Sequence, residues 1–375
     1  MGVFLLIVGL LLFVGLVVIH EFGHFLAARR NGVDVEEFGI GFPPRAWARK
    51  TRGGFDFSIN WLPIGGFVKL KGEHDSDTEK GSFGAASLPA KVKIMLAGVG
   101  MNLIGAFVIF TILAWVGMPQ LIDNQFTISS DAHVARQEVL VGFVESGSPA
   151  AKAGLQVRDQ IVSVGTSKAT ATPVESAGKL PDVTKKYAGQ TVYINYVRGG
   201  DAKTTKTQLL STASVNASQN TSNPKGYLGV APTEYKLVKY SWSAPVVALG
   251  TMWQLTAATF QGLGTALSAL FHGEGAKASQ QVSGPVGIVV LLKNGSLLGY
   301  QFMLMIIGVI SLTLAIMNVL PIPALDGGRL FVTLIARLLG KPLTEAAEER
   351  IYGTGFALLM LLVVVITIVD VKRYF

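Results

Sequence analysis

Two histidines and a glutamate near the amino terminus have the spacing of a zinc-binding helix. His20, Glu21 and His24 form the pattern His-Glu-x-x-His, which on a helix places two imidazoles on one face with a carboxylate beside them. Neutral imidazoles are suitable zinc ligands, and a neighbouring glutamate can act as general base toward water that the metal activates. The motif therefore predicts a zinc site that performs hydrolysis.

The position of this motif in the chain is unusual for a hydrolase. Residues 3–19 contain no polar side chain, so the motif is expected in the hydrocarbon layer or just outside it, where ionisable groups mark functional sites. A pair of structural histidines at the membrane interface is the alternative, but it would leave Glu21 buried without a partner. The other histidines are expected to be solvated or to cap helices: His74, His133 and His272.

A catalytic zinc site usually has a third protein ligand, and Asp326 is the candidate. The chain contains no cysteine, so any zinc must use histidine and carboxylate. Asp326 follows an apolar stretch directly, and Pro321 and Pro323 are expected to break the helix before it. Gly327 and Gly328 are expected to allow a tight turn. Alone, Asp326 would be an interfacial turn residue; beside the histidine motif we predict a ligand.

The composition indicates a membrane protein that also carries a water-exposed part. Half of the 375 residues are hydrophobic, 15% are charged, and the mean hydropathy is +0.46. Four stretches are long enough to cross a bilayer, at about residues 2–28, 93–117, 300–320 and 353–369. Residues 244–271 are expected to be an amphipathic helix on the bilayer or bundle rather than a fifth span. The net charge of +8 is spread along the chain, which argues against a nucleic-acid surface.

Basic residues beside the spans predict their orientation. Lysine and arginine are enriched next to the spans in residues 29–92 and 321–352, which places these loops in the cytoplasm and residues 118–299 outside. Lys372 and Arg373 count against this arrangement. In it, the first and third spans end on the cytoplasmic side, so Asp326 can reach the two histidines. The first span has no cleavage site of a signal peptide.

Two further segments have recognisable patterns. In residues 53–61 the apolar residues alternate with polar or small ones and predict a hairpin strand: Phe55, Phe57, Ile59 and Trp61. Such a strand can clamp an extended substrate, with Phe57 and Ile59 as candidate contacts, or be purely structural; both possibilities stay open.

Residues 138–235 predict a small α/β domain, with a helix that opens at Ser148-Pro149 and ends at Gly154. Residues 211–224 are polar and predict a mobile loop.

Taken together, these motifs resemble those of the site-2 protease family of intramembrane zinc metalloproteases. The resemblance is to the bacterial branch that contains a PDZ domain, typified by the regulator of sigma-E protease. It rests on the histidine motif and on five other segments: Phe38–Phe42, Leu62–Leu70, Gly98–Asn102, Gly284–Ile288 and Leu325–Gly327.

The resemblance implies that His20, His24 and Asp326 bind Zn²⁺ and that Glu21 is the general base and acid. It also implies that Asn318, Pro321 and Pro323 line a substrate groove. The substrates would be single-pass transmembrane proteins, such as anti-sigma factors or remnant signal peptides, cut within the bacterial inner (plasma) membrane. The zinc site would lie toward the cytoplasm. A catalytically silent PDZ membrane adaptor of the same fold is the alternative, and the intact ligand set argues against it. A transporter would show repeated spans, and we find none.

The expected fold is therefore an α-helical polytopic membrane protein with about four spans, an inserted α/β PDZ-like domain and a cytoplasmic β-hairpin element. The expected domains are residues 1–117, 118–240, 241–299 and 300–375. Residues 147–155 and 159–161 resemble the bacterial PDZ pattern, which implies that a peptide C-terminus can bind there. This chain departs from the pattern at Arg158, where the family usually has glycine, and in having space for one PDZ unit instead of two. Residues 227–230 are either the carboxylate-binding loop or the closing strand.

Overall fold

A computed structural model describes residues 2–122, 124–221, 224–340 and 343–375 of the chain. In it, uncharged apolar runs form long helices, and runs of alternating residues form strands. In chain order the elements are α1 (Gly2–Arg30), β1 (Val35–Lys50), β2 (Asp56–Leu70), α2 (Leu88–Val116), β3 (Met118–Pro119), β4 (His133–Val144), α3 (Pro149–Lys152), β5 (Gln160–Gly165), β6 (Thr172–Pro173), a 3-10 helix (Ala177–Lys179), α4 (Leu180–Lys186), β7 (Thr191–Arg198), β8 (Asp201–Gln208), α5 (Thr212–Ser218), β9 (Val230–Lys239), α6 (Ala244–Phe271), α7 (Gly275–Gln280), α8 (Pro285–Ser296), α9 (Tyr300–Val319), α10 (Asp326–Leu338) and α11 (Glu345–Tyr374). They form two compact units. One comprises Met1–Val116, Gln125–Ile128 and Ser241–Phe375, and the other comprises Gly117–Asn124 and Ser129–Tyr240.

Within the described part of the chain, four helices are long and apolar enough to cross a membrane: α1, α2, α9 and α11. Together with the inserted α/β unit and the hairpin, they confirm the predicted fold class. Helix α11 contains the span predicted at about 353–369 but begins earlier, at Glu345. Its start is fixed by Thr344, whose hydroxyl accepts a hydrogen bond from the Ala347 amide, and by acidic residues that favour a helix N-terminus.

Small residues allow the helices of the first unit to pack closely. A side chain at Gly23 of α1 would lie 2.5 Å from the Ala97 carbonyl oxygen of α2, and one at Gly308 of α9 would lie 3.0 Å from the Phe110 ring. The helices therefore approach each other at positions without a side chain, as is common between membrane helices. Helix α2 packs against both α1 and α9.

The segment between α9 and α10 differs from the prediction. The helix ends at Val319, before the two prolines, as expected. Gly327 and Gly328, however, do not form a turn; they lie in the first turn of α10. Side chains there would lie 2.2 Å from the Val319 carbonyl oxygen and 2.0 Å from that of Ile322. These glycines permit close backbone contact, and the positive φ of the turn (94°) falls on Ala324.

Strands β1 and β2 form an antiparallel two-stranded sheet whose register shifts along its length. Phe38 lies opposite both Phe57 and Val68, because the long strands bend back on themselves. Ser58 is fully buried, whereas Trp61 is 71% exposed and Ile59 is 44% exposed. The alternation of residues 53–61 thus predicted a strand correctly from Asp56 onward. Its faces are uneven, because Ile59 and Trp61 are exposed whereas Phe57 is half-buried.

The inserted unit is a mixed α/β fold around one sheet, with strand order β3-β9-β4-β5-β7-β8 and β6 beside β5. Predicted strands at residues 139–144, 161–164 and 192–197 are all present. Ser148 caps α3 by accepting a hydrogen bond from the Ala151 amide, and Gly154 follows with φ of 72°. The core between sheet and helices contains Val139, Ala150, Leu155, Ile161, Val164, Leu180, Val192, Ile194 and Leu228.

The prediction of a loop over residues 211–224 is wrong in its first half. Residues Thr212–Ser218 form α5, which begins at Ser211, whose hydroxyl accepts a hydrogen bond from the Ser214 amide. Val215 is buried and fixes the helix to the unit. Local capping and one apolar contact therefore outweigh a polar composition. Residues 222 and 223 lie outside the described chain.

Candidate metal centre

The two histidines of α1 point into the bundle from adjacent turns. Spacing of four residues puts both on one helix face, and their side chains are 11% and 13% exposed. The rings of His20 and His24 meet edge to face with centroids 4.8 Å apart. Their Nε2 atoms are 3.2 Å apart. Both imidazoles therefore direct the same nitrogen toward one point.

Asp326 completes this arrangement from the start of α10. Its Oδ2 lies 3.1 Å from His20 Nε2 and 3.2 Å from His24 Nε2. The three donor atoms form a nearly equilateral triangle. In a tetrahedral zinc site with bonds of about 2.0–2.1 Å, ligand atoms lie about 3.3 Å from one another. The dimensions of the triangle thus fit one zinc ion with a fourth position open.

The hydrogen bonding of Asp326 supports the same assignment. Its Oδ2 is buried and accepts no hydrogen bond within the described part of the chain. Buried carboxylate oxygens normally have a partner, and a cation at the centre of the triangle would be one. Two imidazoles and a carboxylate without cysteine form a donor set that zinc accepts.

Helix α2 fixes the orientation of both rings. His24 Nδ1 donates a hydrogen bond of 2.8 Å to the Ile94 carbonyl oxygen, which leaves Nε2 unprotonated and able to bind a metal. The rings lie over Gly98, where a Cβ atom would be 2.4 Å from His24 Nε2 and 2.6 Å from His20 Cε1. The amide of Asn102 lies 3.2 Å from His20 Nδ1. Sequence reasoning did not assign these roles, although the spacing of four residues between them was a signal.

Glu21 lies beside the triangle without being part of it. Its carboxylate is hydrogen-bonded by the backbone of Val68 in β2 and interacts electrostatically with both histidines and Asp326. Its Cγ is 3.5 Å from the position that a Cβ of Gly66 would take. The last part of β2 therefore runs directly past the carboxylate.

The predicted substrate-binding residues are spread over three locations. Asn318 donates a hydrogen bond of 3.0 Å to the Leu314 carbonyl of its own helix. Pro323 packs against Gly355, and Pro321 is exposed. Phe57 lines an apolar cavity of about 370 Å³ with Phe22, Phe25, Phe38 and Phe55, among other residues. Ile59 is on the exposed face of the hairpin.

A polar cavity reaches the metal centre. It has a volume of about 600 Å³, and its lining includes Asp326, Glu73, Arg329, Glu348 and Tyr352. Its lining is rich in charged side chains and includes Asp326, so one side of the metal centre borders a space that is wide enough for water.

His74, expected to be solvated or to cap a helix, is 35% exposed and also contacts acidic residues. His74 Nδ1 lies 3.2 Å from the buried carboxylate of Glu348, so the side chain joins the loop before α2 to the start of α11. His133 contacts the backbone carbonyl of Asp131. His272 contacts the carbonyl of Ser268 and so caps the end of α6, as predicted.

Comparison with known proteins supports a metalloprotease relationship. Residues 8–362 match the profile of peptidase family M50. The chain is 32% identical to a protein of Clostridium acetobutylicum that is named as a zinc metalloprotease, and the match covers 99% of this chain and 98% of that protein. It is 27% identical to the regulator of sigma-E protease RseP of Salmonella typhimurium (92% and 94% covered) and to the zinc metalloprotease RasP of Shouchella clausii (96% and 97%). A structure of the PDZ domain of the SdrC-like protein from Listeria monocytogenes matches 27% of this chain and 93% of that domain, at 22% identity and a TM-score of 0.21.

Proposed function

Because this chain belongs to peptidase family M50 and is a multi-pass membrane zinc metalloprotease, we propose that His20, His24 and Asp326 hold its catalytic zinc and that Glu21 is the general base. The observation that carries the proposal is the triangle of Nε2, Nε2 and Oδ2 atoms, with edges of 3.1–3.2 Å. Its substrates are membrane-spanning segments of other proteins.

The residues of the site have separate tasks in peptide hydrolysis. Zinc, when bound, supplies Lewis acidity that polarises the scissile carbonyl and acidifies water. Glu21 takes a proton from the attacking water and delivers it to the leaving amine. Val68 holds the Glu21 carboxylate in place from the backbone side. The polar cavity beside Asp326 supplies the water.

The hairpin presents the substrate to this site as an extended chain. A transmembrane helix must unfold locally before a peptide bond becomes accessible, and a strand edge can hold it open by backbone hydrogen bonds. The part of β2 from Gly66 to Val68 lies next to Glu21, which favours it as that edge. Phe57 and Ile59 of the hairpin contact the substrate, and Asn318, Pro321 and Pro323, which precede Asp326 in the chain, contact it near the metal centre.

The metal centre lies toward the cytoplasm and the inserted unit lies outside. Arg29 and Arg30 end α1, whereas the segment after α2 lacks basic residues, in agreement with the positive-inside rule. The inserted unit is a PDZ-like domain. Two features support this. One is the short helix capped by Ser148, and the other is the buried Asp159, which accepts hydrogen bonds of 2.6 and 2.7 Å from Arg198. The domain binds a peptide C-terminus of a membrane-protein client.

Zinc content tests the ligand assignment. The full-length protein is purified in detergent, and zinc per chain is measured by mass spectrometry for the wild type, Asp326→Ala and Asp326→Asn. We expect about one zinc per chain in the wild type and a large loss in both variants, because three ligands are needed for stable binding. Asp370→Asn, which changes a buried aspartate elsewhere in the same unit, is the control and should retain zinc. Full zinc occupancy in both Asp326 variants would remove Asp326 from the site.

A further inference from the structure

Helix α2 contacts the metal centre at three positions on one face. Ile94, Gly98 and Asn102 are spaced by four residues and therefore align along the helix. Ile94 supplies a carbonyl to His24 Nδ1, Gly98 leaves room for both rings, and Asn102 faces His20 Nδ1. Each histidine thus has its Nε2 in the triangle and its Nδ1 against α2.

The hydrogen bond between the Asn102 amide and His20 Nδ1 can run in either direction, depending on which way the amide is turned. If the amide nitrogen of Asn102 points to Nδ1, that ring nitrogen must accept, and the ring proton resides on Nε2. A protonated Nε2 in the triangle excludes a metal. In this orientation Asn102 Oδ1 is also buried without a hydrogen-bond partner among the described residues. If the amide is turned by half a rotation, Oδ1 accepts a proton from Nδ1, and Nε2 has a free lone pair.

We infer that Asn102 is a positioning residue for the zinc site: its Oδ1 accepts a hydrogen bond from His20 Nδ1 and so keeps Nε2 available to the metal. The inference rests on the proposed function, since it requires zinc at His20. Acceptors that bind the second ring nitrogen fix the tautomer and orientation of a ligating histidine. The Ile94 carbonyl has this role for His24, and Asn102 has it for His20.

The surroundings of Asn102 are suited to positioning. The residue is 1% exposed, so water cannot replace its amide. Its backbone carbonyl accepts a hydrogen bond of 2.8 Å from the hydroxyl of Ser311, which is fully buried in α9. Helix α9 leads to Asp326. Asn102 is therefore bonded both to one ligand and to the helix that precedes another, which couples the two ligand-bearing parts of the bundle.

Zinc affinity of matched variants tests this role. The full-length wild type, Asn102→Leu and Asn102→Asp are compared by competition with a chelator of known affinity, and the visible spectrum of the cobalt-substituted forms is recorded. Leucine has a similar shape but no acceptor, and we expect zinc affinity to fall about 10- to 100-fold. Aspartate has acceptors only, so its affinity and cobalt spectrum should stay near those of the wild type. Thr111→Val is the control, because Thr111 is a buried α2 residue whose hydroxyl bonds to the Phe107 carbonyl of its own helix.

The outcomes separate this inference from the proposed function. If the wild type binds zinc and Asn102→Leu binds it equally well, the positioning role is refuted while the ligand set stands. If Asn102→Asp loses as much affinity as the leucine variant, the amide acts as donor or by its shape, and the inference is also overturned. A wild type that binds no zinc would refute both.

Discussion

A methyl group at Gly98 is expected to abolish zinc binding without unfolding the protein. In Gly98→Ala the new Cβ would lie 2.4 Å from His24 Nε2 and 2.7 Å from His20 Nε2. Ordinary contacts of a Cβ begin near 3.4 Å, so the rings must move by about 1 Å. Metal–ligand distances tolerate about 0.2 Å. We therefore expect at least about a 100-fold loss in cleavage of a single-pass reporter protein, together with loss of zinc.

The neighbouring glycine of the same helix provides a matched control. A Cβ at Gly100 would have no heavy atom within 4 Å, so Gly100→Ala should keep zinc and activity. Both substitutions improve helix propensity by up to about 1 kcal/mol, which makes unfolding a poor explanation for a loss at Gly98 alone. The assays are zinc per chain and cleavage of the reporter in proteoliposomes. Wild-type zinc content and rate in Gly98→Ala would refute the described packing of α2 against the two histidines.

Three further changes concern stability and are read from thermal unfolding of the full chain. Arg158 has φ of 74°, a conformation that costs a non-glycine residue about 1 kcal/mol, so Arg158→Gly should raise stability by that amount; a lower melting temperature would contradict this. Lys91 is fully buried against Asp75, and Lys91→Met should cost about 3–5 kcal/mol by leaving a buried carboxylate with one partner fewer. The exposed Lys93→Met is the control and should have little effect. Asp370 accepts hydrogen bonds of 2.8 Å from two backbone amides at the start of α8, so Asp370→Ala should cost about 2–3 kcal/mol, and unchanged stability would disprove that cap.

The sequence predicted that His20, His24 and Asp326 would lie together, and the first part of that prediction is local. The spacing of His20 and His24 determines which helix face they share, whatever the rest of the chain does. Asp326 required a tertiary argument, and the charge pattern beside the spans supplied it: two spans that end on one side bring their ends together. The structure places the three donor atoms within 3.2 Å of one another.

Features that depend on packing were not predictable in the same way. The role of Gly327 and Gly328 as points of close backbone contact requires the path of the preceding segment, which no local pattern contains. The unequal burial of Phe57, Ile59 and Trp61 in β2 was not predictable either, since alternation shows only that two faces differ. The contact of Asn102 with His20 depends on how α2 packs against α1, and neither residue's local sequence specifies that packing.

The central claim is that Glu21 performs the proton transfers at a zinc ion held by its neighbours, and Glu21→Gln tests it most directly. Glutamine has the same shape but cannot take a proton, so zinc should stay near one per chain while cleavage of the reporter falls about 10²- to 10⁴-fold. A variant that keeps its zinc and cleaves the reporter at the wild-type rate would contradict the proposed mechanism.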